Sequence, residues 1–196
     1  MLSNYLMVTT AKNEAKTLSK TIKTVAQQIL KPKIWLIFDD NSTDNTLEVI
    51  KNASDQFSFI HYRSLGDFTF NEPWRYDAIM AHGFKLIADL AKKIEWEYIA
   101  VLDADIMLND DNYFFDVIQF MNTNKKVGIA CGRIDDMIGS KIITKKKPVN
   151  KPAGAARVIS KKCLTSIGGY IVGPSSDTIM NNVANHRTKS SIQKLF

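Results

Sequence analysis

Short apolar runs and amphipathic helical stretches take turns along the first two-thirds of this chain, and that alternation restricts the fold more than any other feature. Leu6 to Thr10 reads as a first strand. Ala15, Leu18, Ile22, Val25 and Ile29 then recur at helical spacing, with Pro32 beyond the helix end. Ile34–Phe38, Phe57–Tyr62 and Tyr98–Leu102 read as further strands, and Val127–Cys131 is strand-like. Between them lie a helix through Leu47, Val49 and Ile50 with Ser42 or Thr43 as its cap, one from Arg75 to about Ile94, and one from Asn112 to about Asn122. Such a succession predicts an α/β fold with a mostly parallel sheet and helices on both faces. In sheets of that kind ligands bind beyond the carboxyl ends of the strands. Residues 133 to 157, rich in Lys, Gly and Pro, are the least regular part.

The strand ends are polar and largely acidic. They are Thr9-Thr10-Ala11-Lys12-Asn13-Glu14, Asp39-Asp40-Asn41-Ser42 and Asp103-Ala104-Asp105. Alternation along an extended chain puts residues two apart on one side, so Asp103 and Asp105 are expected to converge. Paired carboxylates repel unless a cation sits between them. Mg²⁺ and Mn²⁺ take oxygen ligands and keep positions open for substrate phosphates. The competing interpretation is an acidic pair in a solvated turn.

The 196 residues suffice for one domain with a proper core, expected to span 1–196. With 45% hydrophobic and 23% charged residues, disorder is not expected. No apolar stretch approaches the ~20 residues needed to cross a bilayer, and Met1 to Asn13 lacks a secretory-signal layout. Cys131 and Cys163 are the two cysteines, and a buried thiol is expected rather than a bridge. A cytoplasmic location is the resulting expectation. Part of the net charge of +6 is local: Lys141, Lys145, Lys146, Lys147 and Lys151 crowd one segment with Pro148 and Pro152. No aromatic residues interleave there, so nucleic acid is not an expected partner. That segment reads as a solvated loop, or as a loop meeting a phosphate-bearing substrate or the anionic inner face of a membrane.

Taken in order, these motifs resemble the family 2 glycosyltransferases. Val8-Thr9-Thr10-Ala11-Lys12-Asn13-Glu14 is a fair match, and Phe38-Asp39-Asp40-Asn41-Ser42-Thr43-Asp44 a strong one. Asp103-Ala104-Asp105 fits the family's metal-binding motif, Ile167-Gly168-Gly169-Tyr170 its Gly-Gly-aromatic turn, and Ser176-Asp177 the acidic pair before its last catalytic helix. The resemblance covers residues 5 to about 190. It implies a GT-A fold, a Rossmann-like three-layer sandwich, with a nucleotide-binding part over about 1–105 and an acceptor-binding part over about 106–196. The implied activity is transfer of a sugar, with inversion and assisted by Mn²⁺ or Mg²⁺, from a nucleoside-diphosphate donor (UDP-linked by expectation) to an acceptor hydroxyl. The acceptor would be a glycan, a lipid-linked species or a small molecule.

By the same resemblance, Thr9, Ala11 and Glu14 line the nucleobase and ribose pocket, and Asp40 reads the base. Arg75 lies near the nucleotide. Asp103 and Asp105 match the ribose and metal positions, with Asp105 the direct ligand. Asp177 matches the general base. Two departures stand out: Ser176 occupies the place of an expected Glu, and no Gln-x-x-Arg-Trp follows Asp177. Trp35, Trp74 and Trp96 all come earlier. The chain also stops soon after its last helix, as a piece of a longer protein would.

Each assignment has a structural rival. Asp40 could cap the following helix, Arg75 could pair with a surface acid, and Asp177 could serve only the dipole of its helix. Gly168-Gly169 reads as a backbone requirement, and Asp110-Asp111 as a helix-entry turn. His61, His82 and His186 do not share ligand spacing, which argues against zinc. The alternative functions are a sugar nucleotidyltransferase, against which the Gly-free Thr10–Glu14 turn counts, and a non-catalytic nucleotide-binding module.

Overall fold

The computed structural model describes residues 3–66, 74–138, 141–144, 152–188 and 191–194. Lys145, Lys146, Lys147, Pro148 and Lys151 lie outside them, as does the side chain of His186. Among the described residues, nine strands and six helices follow in the order β1 (Tyr5–Ala11), α1 (Ala15–Gln27), β2 (Ile34–Asp39), α2 (Thr46–Gln56), β3 (Ile60–Ser64), α3 (Arg75–Leu90), β4 (Tyr98–Leu102), α4 (Tyr113–Thr123), β5 (Val127–Cys131), β6 (Asp136–Ile138), β7 (Lys141–Ile143), β8 (Ala156–Ser160), α5 (Lys161–Ile167), α6 (Ser176–Thr188) and β9 (Ser191–Lys194). The apolar runs that read as strands are strands, within a few residues at their ends.

Seven strands form one sheet in the order β3-β2-β1-β4-β8-β5-β9. All its pairings are parallel except those of β8, which runs antiparallel to both β4 and β5. Strands buried on both faces need apolar residues at every position, and Ile34–Asp39 is buried throughout. One face packs against α1, α2 and α4 through Leu18, Val25, Ile50, Phe114 and Ile118. The other packs against α3, α5 and α6 through Ile79, Phe84, Ile87, Cys163 and Met180. The result is the three-layer sandwich that the alternation predicts. Both cysteines are buried, Cys131 as its apolar run predicts.

Two regions differ from the sequence expectation. The stretch 133 to 157 contains the β6–β7 hairpin, and its last residues open strand β8 in the middle of the sheet. The expected cap of α2 is neither Ser42 nor Thr43. Ser42 Oγ accepts from Asn13 N (3.0 Å), while the Asp44 carboxylate accepts from Thr46 N (2.9 Å) at the helix start. The Asn13–Ser42 hydrogen bond ties the turn after β1 to the turn after β2. Hydrogen bonding from Thr46 also lowers the Asp44 pKa.

Candidate functional site

The strand order reverses direction around β1, whose neighbours are β2 and β4. A cleft opens beyond the carboxyl ends of these three strands, where a reversal in a parallel sheet leaves room for a ligand. Register sets its floor: Ala11 is level with Asp39, and Val8 with Val101. A first cavity of about 340 Å³ is lined by Thr10–Lys12 and Glu14 after β1, Asp40 after β2, Arg75, Tyr76 and Ile79 of α3, and Asp103–Asp105 after β4.

Of the nucleotide-side residues expected there, Ala11, Glu14, Asp40, Arg75 and Asp103 line this cavity. Thr9, expected beside them, does not line it. Its side chain is fully buried, its hydroxyl donates to Leu102 O (2.7 Å), and it accepts from Trp35 Nε1 (2.9 Å). Alternation along β1 turns Thr10 to the cavity in its place.

Asp40 does not cap α2. Arg75 grips it, with Nε at 2.9 and 3.1 Å from its two carboxylate oxygens and Nη2 also bonded. Lys12 Nζ stands 3.8 Å from the same group. Arg75 is therefore a partner of Asp40 in the cavity wall. Pairing with Asp40 raises the Arg75 pKa further.

Asp103 and Asp105 reach the cavity by a turn rather than by strand alternation. β4 ends at Leu102, and Ile106 N bonds back to Asp103 O (3.2 Å). Asp103 is half-buried and Asp105 exposed. Burial raises the Asp103 pKa, opposed by a hydrogen bond from Tyr76 Oη (3.0 Å) and reinforced by the nearby charges of Asp105 and Asp177. Arg157 acts in the opposite sense, lowering it. Among the described residues, no three His, Cys, Asp or Glu side chains are grouped to hold a metal ion. The donor set on offer is two carboxylates on one cavity wall, which suits a hard cation whose remaining ligands are phosphate oxygens and water.

A second cavity of about 290 Å³ adjoins the first through Tyr76 and Asp103 and is lined further by Asp77, Gly154, Arg157, Tyr170, Ser175, Ser176 and Asp177. Asp177 lies in the first turn of α6, where Oδ1 accepts from Thr178 N (2.7 Å). The turn before it is tight, with Ser175 at φ 55°. Gly154 makes room for the carboxylate: a Cβ there would stand 3.2 Å from Asp177 Oδ2. Ser176 is buried and donates to Asp77 Oδ1 (2.6 Å), which also accepts from Tyr170 Oη (3.3 Å). A carboxylate from α3 thus stands beside Ser176, where the resemblance leads one to expect a Glu. Burial pushes the Tyr170 phenol up to about 12.

Sequence reasoning gave no site role to Tyr76, Asp77 and Arg157, and noted Tyr170 only as part of the Gly-Gly-aromatic turn. For Arg157 a signal was present: a single charge inside the strand-length apolar run Ala155 to Ile159. Gly168 and Gly169 touch nothing in the cleft and adopt φ of 89° and 101°, a backbone role. Asp110 forms the expected helix-entry turn, accepting from Asn112 N (2.9 Å).

Comparison with known proteins agrees with this architecture. The chain is 28% identical over 122 residues to the poly-beta-1,6-N-acetyl-D-glucosamine synthase of Staphylococcus epidermidis, covering 61% of this chain and 26% of that protein. It therefore spans about a quarter of the length of that relative. Among solved structures, the mannosyltransferase PcManGT from Pyrobaculum calidifontis, in complex with GDP-Man and Mn²⁺, superposes with a TM-score of 0.69 at 12% identity, covering 100% of this chain and 55% of that one. S. aureus TarS 1–349 in complex with UDP-GlcNAc also gives 0.69, at 15% identity, over 98% of this chain and 56% of that one. These likenesses show the GT-A fold. The sequence pattern of glycosyl transferase family 2 matches residues 7–174, and the chain belongs to that family.

Proposed function

We propose that this protein transfers a sugar from a nucleoside-diphosphate sugar, UDP-linked, to an acceptor hydroxyl with inversion at the sugar carbon. The observation that carries the reading is the adjacency of the two cavities: Asp103 and Tyr76 line both, with Asp105 on one side and Asp177 on the other. The first cavity suits the nucleotide. Ala11, Glu14 and Asp40 form its base and ribose wall, with Arg75 fixing the Asp40 carboxylate. Asp105, seconded by Asp103, would hold Mn²⁺ or Mg²⁺, whose charge offsets the negative charge gathering on a departing diphosphate. Solved relatives by fold contain Mn²⁺ together with GDP-Man or UDP-glucose, which supports this choice.

Asp177 takes the acceptor's proton as the hydroxyl attacks. Asp105 and Asp177 line different ones of the two adjacent cavities, which supports the opposed base and leaving group that inversion requires. Among the described residues no helix is long and apolar enough to cross a membrane. The β6–β7 hairpin exposes Met137, Ile142 and Ile143 beside Lys141, which supports peripheral contact with an anionic bilayer at the inner membrane face.

The test is UDP release from UDP-sugars with Mn²⁺. Asp177→Asn is expected to lower kcat by roughly 10²–10⁴-fold while UDP affinity stays unchanged. Normal turnover by that variant would contradict the assignment of the base. Release of pyrophosphate from UTP and a sugar phosphate would favour a nucleotidyltransferase instead.

A further inference from the structure

Arg157 lies in the middle of the sheet, on β8, paired in register with Val101 on one side and Cys131 on the other. It is 1% exposed. An arginine is charged at every accessible pH and carries five N–H donors, and a buried charge without a partner is costly. Yet Nε and Nη1 have no hydrogen-bond partner among the described residues. Nη2 has only the thioether of Met180 at 3.8 Å, a weak acceptor. The guanidinium carbon stands 6.0 Å from the centre of the Tyr170 ring.

The same side chain lines the second cavity. The three carboxylates of that cavity are engaged elsewhere: Asp77 with Ser176 and Tyr170, Asp103 with Tyr76, and Asp177 with the start of its own helix. A buried fork of donors with Nε and Nη1 unbonded among the described residues has hydrogen bonds left to give to an acceptor group that enters the cavity. Planar guanidinium donors match the oxygens of a carboxylate or phosphate two at a time.

We propose that Arg157 recognises an oxyanion, a carboxylate or phosphate group, carried by whatever fills the second cavity. The inference rests on the transferase reading above. The group has two possible carriers, the transferred sugar or the acceptor, and the chemistry of recognition is the same for both. Arg157 is then a specificity determinant beside the reacting centre.

The experiment follows the melting temperature and the binding isotherm of the full chain with Mn²⁺. UDP, UDP-glucose and UDP-glucuronate are titrated first, and then inorganic phosphate into the UDP-saturated protein. The unaltered chain is compared with Arg157→Met and Arg157→Lys. A site built for an oxyanion gives at least a tenfold preference for UDP-glucuronate over UDP-glucose if the sugar carries the charge. It gives a phosphate response without that preference if the acceptor does. Arg157→Met abolishes either response, Arg157→Lys retains part of it, and UDP affinity changes less than twofold. The ligand-free Met variant melts no lower than the unaltered chain, because it removes a buried charge whose Nε and Nη1 donors lack hydrogen-bond partners among the described residues.

If UDP binds and neither anion response depends on Arg157, this inference alone is overturned. A tenfold loss of UDP affinity in Arg157→Met would also overturn it, since the guanidinium would then serve the donor diphosphate. An unaltered chain that ignores UDP would remove the transferase reading and this inference together.

Discussion

Asp103 stands where the two cavities meet, and its surroundings pull its proton in opposite directions. Burial and the charges of Asp105 and Asp177 favour the protonated form, while the Tyr76 hydroxyl and Arg157 favour the carboxylate. In the proposed function, nucleotide binding with a cation needs the carboxylate. Tyr76→Phe removes one influence that lowers the pKa, so the acid limb of metal-dependent UDP binding is expected to move to higher pH. An unmoved limb in a pH series of binding isotherms would show that Asp103 does not titrate in that step. Stability follows the same sign. The folded-state pKa of Asp103 is raised, so folding favours its protonated form, and that contribution is lost as pH rises through the folded value. Asp103→Asn should therefore raise the melting temperature of the ligand-free protein at neutral pH, with the gain fading as pH falls towards the ordinary carboxylate range, near ~4. Equal gains at acid and neutral pH would point to packing instead. At this scale the sequence showed which acids sit at strand ends, because the apolar runs mark where each strand stops. It could not show that Thr9 points inward, which depends on its bonds to Leu102 and Trp35 across the sheet.

Among the elements, α3 does most to shape the cleft. It supplies Arg75, Tyr76 and Asp77, and it lies close against β1 and β2 because Gly83 has no side chain. A Cβ at Gly83 would meet Phe38 Cε2 at 2.8 Å and Val8 Cγ1 at 3.0 Å, both on fully buried side chains. Gly83→Ala gains up to about 1 kcal/mol of helix propensity but overpacks a dense core at a typical cost of about 1–3 kcal/mol. Net destabilisation is expected in a urea titration, together with weaker UDP binding as α3 moves off the sheet. A stabilised variant would mean that the contact yields freely. The β-α-β succession through β5 was legible because its strands are continuous apolar runs and its helices keep their period. β8 was not, since a Lys-, Gly- and Pro-rich approach precedes it and Arg157 breaks its apolar pattern. The positions of Tyr76 and Asp77 were equally hidden. A helix pattern tells which face is buried, not which end of the sheet the helix start overhangs.

The whole molecule gathers residues far apart in sequence because all three acidic strand ends leave the same edge of the sheet. Strand alternation made that edge foreseeable. The second cavity beside the first was not, because it needs β8 to turn back antiparallel beside β4 and bring Gly154 and Arg157 near Asp177 of α6. The net charge of +6 and the exposed apolar hairpin belong to this scale as well. Binding to anionic vesicles is expected at low salt and should weaken severalfold between 0.01 and 0.15 M ionic strength, roughly as the Debye length shortens from ~30 to ~8 Å. Salt-independent binding would exclude an electrostatic component. The account as a whole turns on strand-end carboxylates holding a cation together with a diphosphate, and calorimetric titration of UDP in the presence and absence of Mn²⁺ examines this most directly. The unaltered chain is expected to bind UDP at least tenfold more tightly with Mn²⁺, and Asp105→Ala to lose that gain. Equal UDP affinity with and without the metal, or an undiminished metal effect in Asp105→Ala, would contradict it.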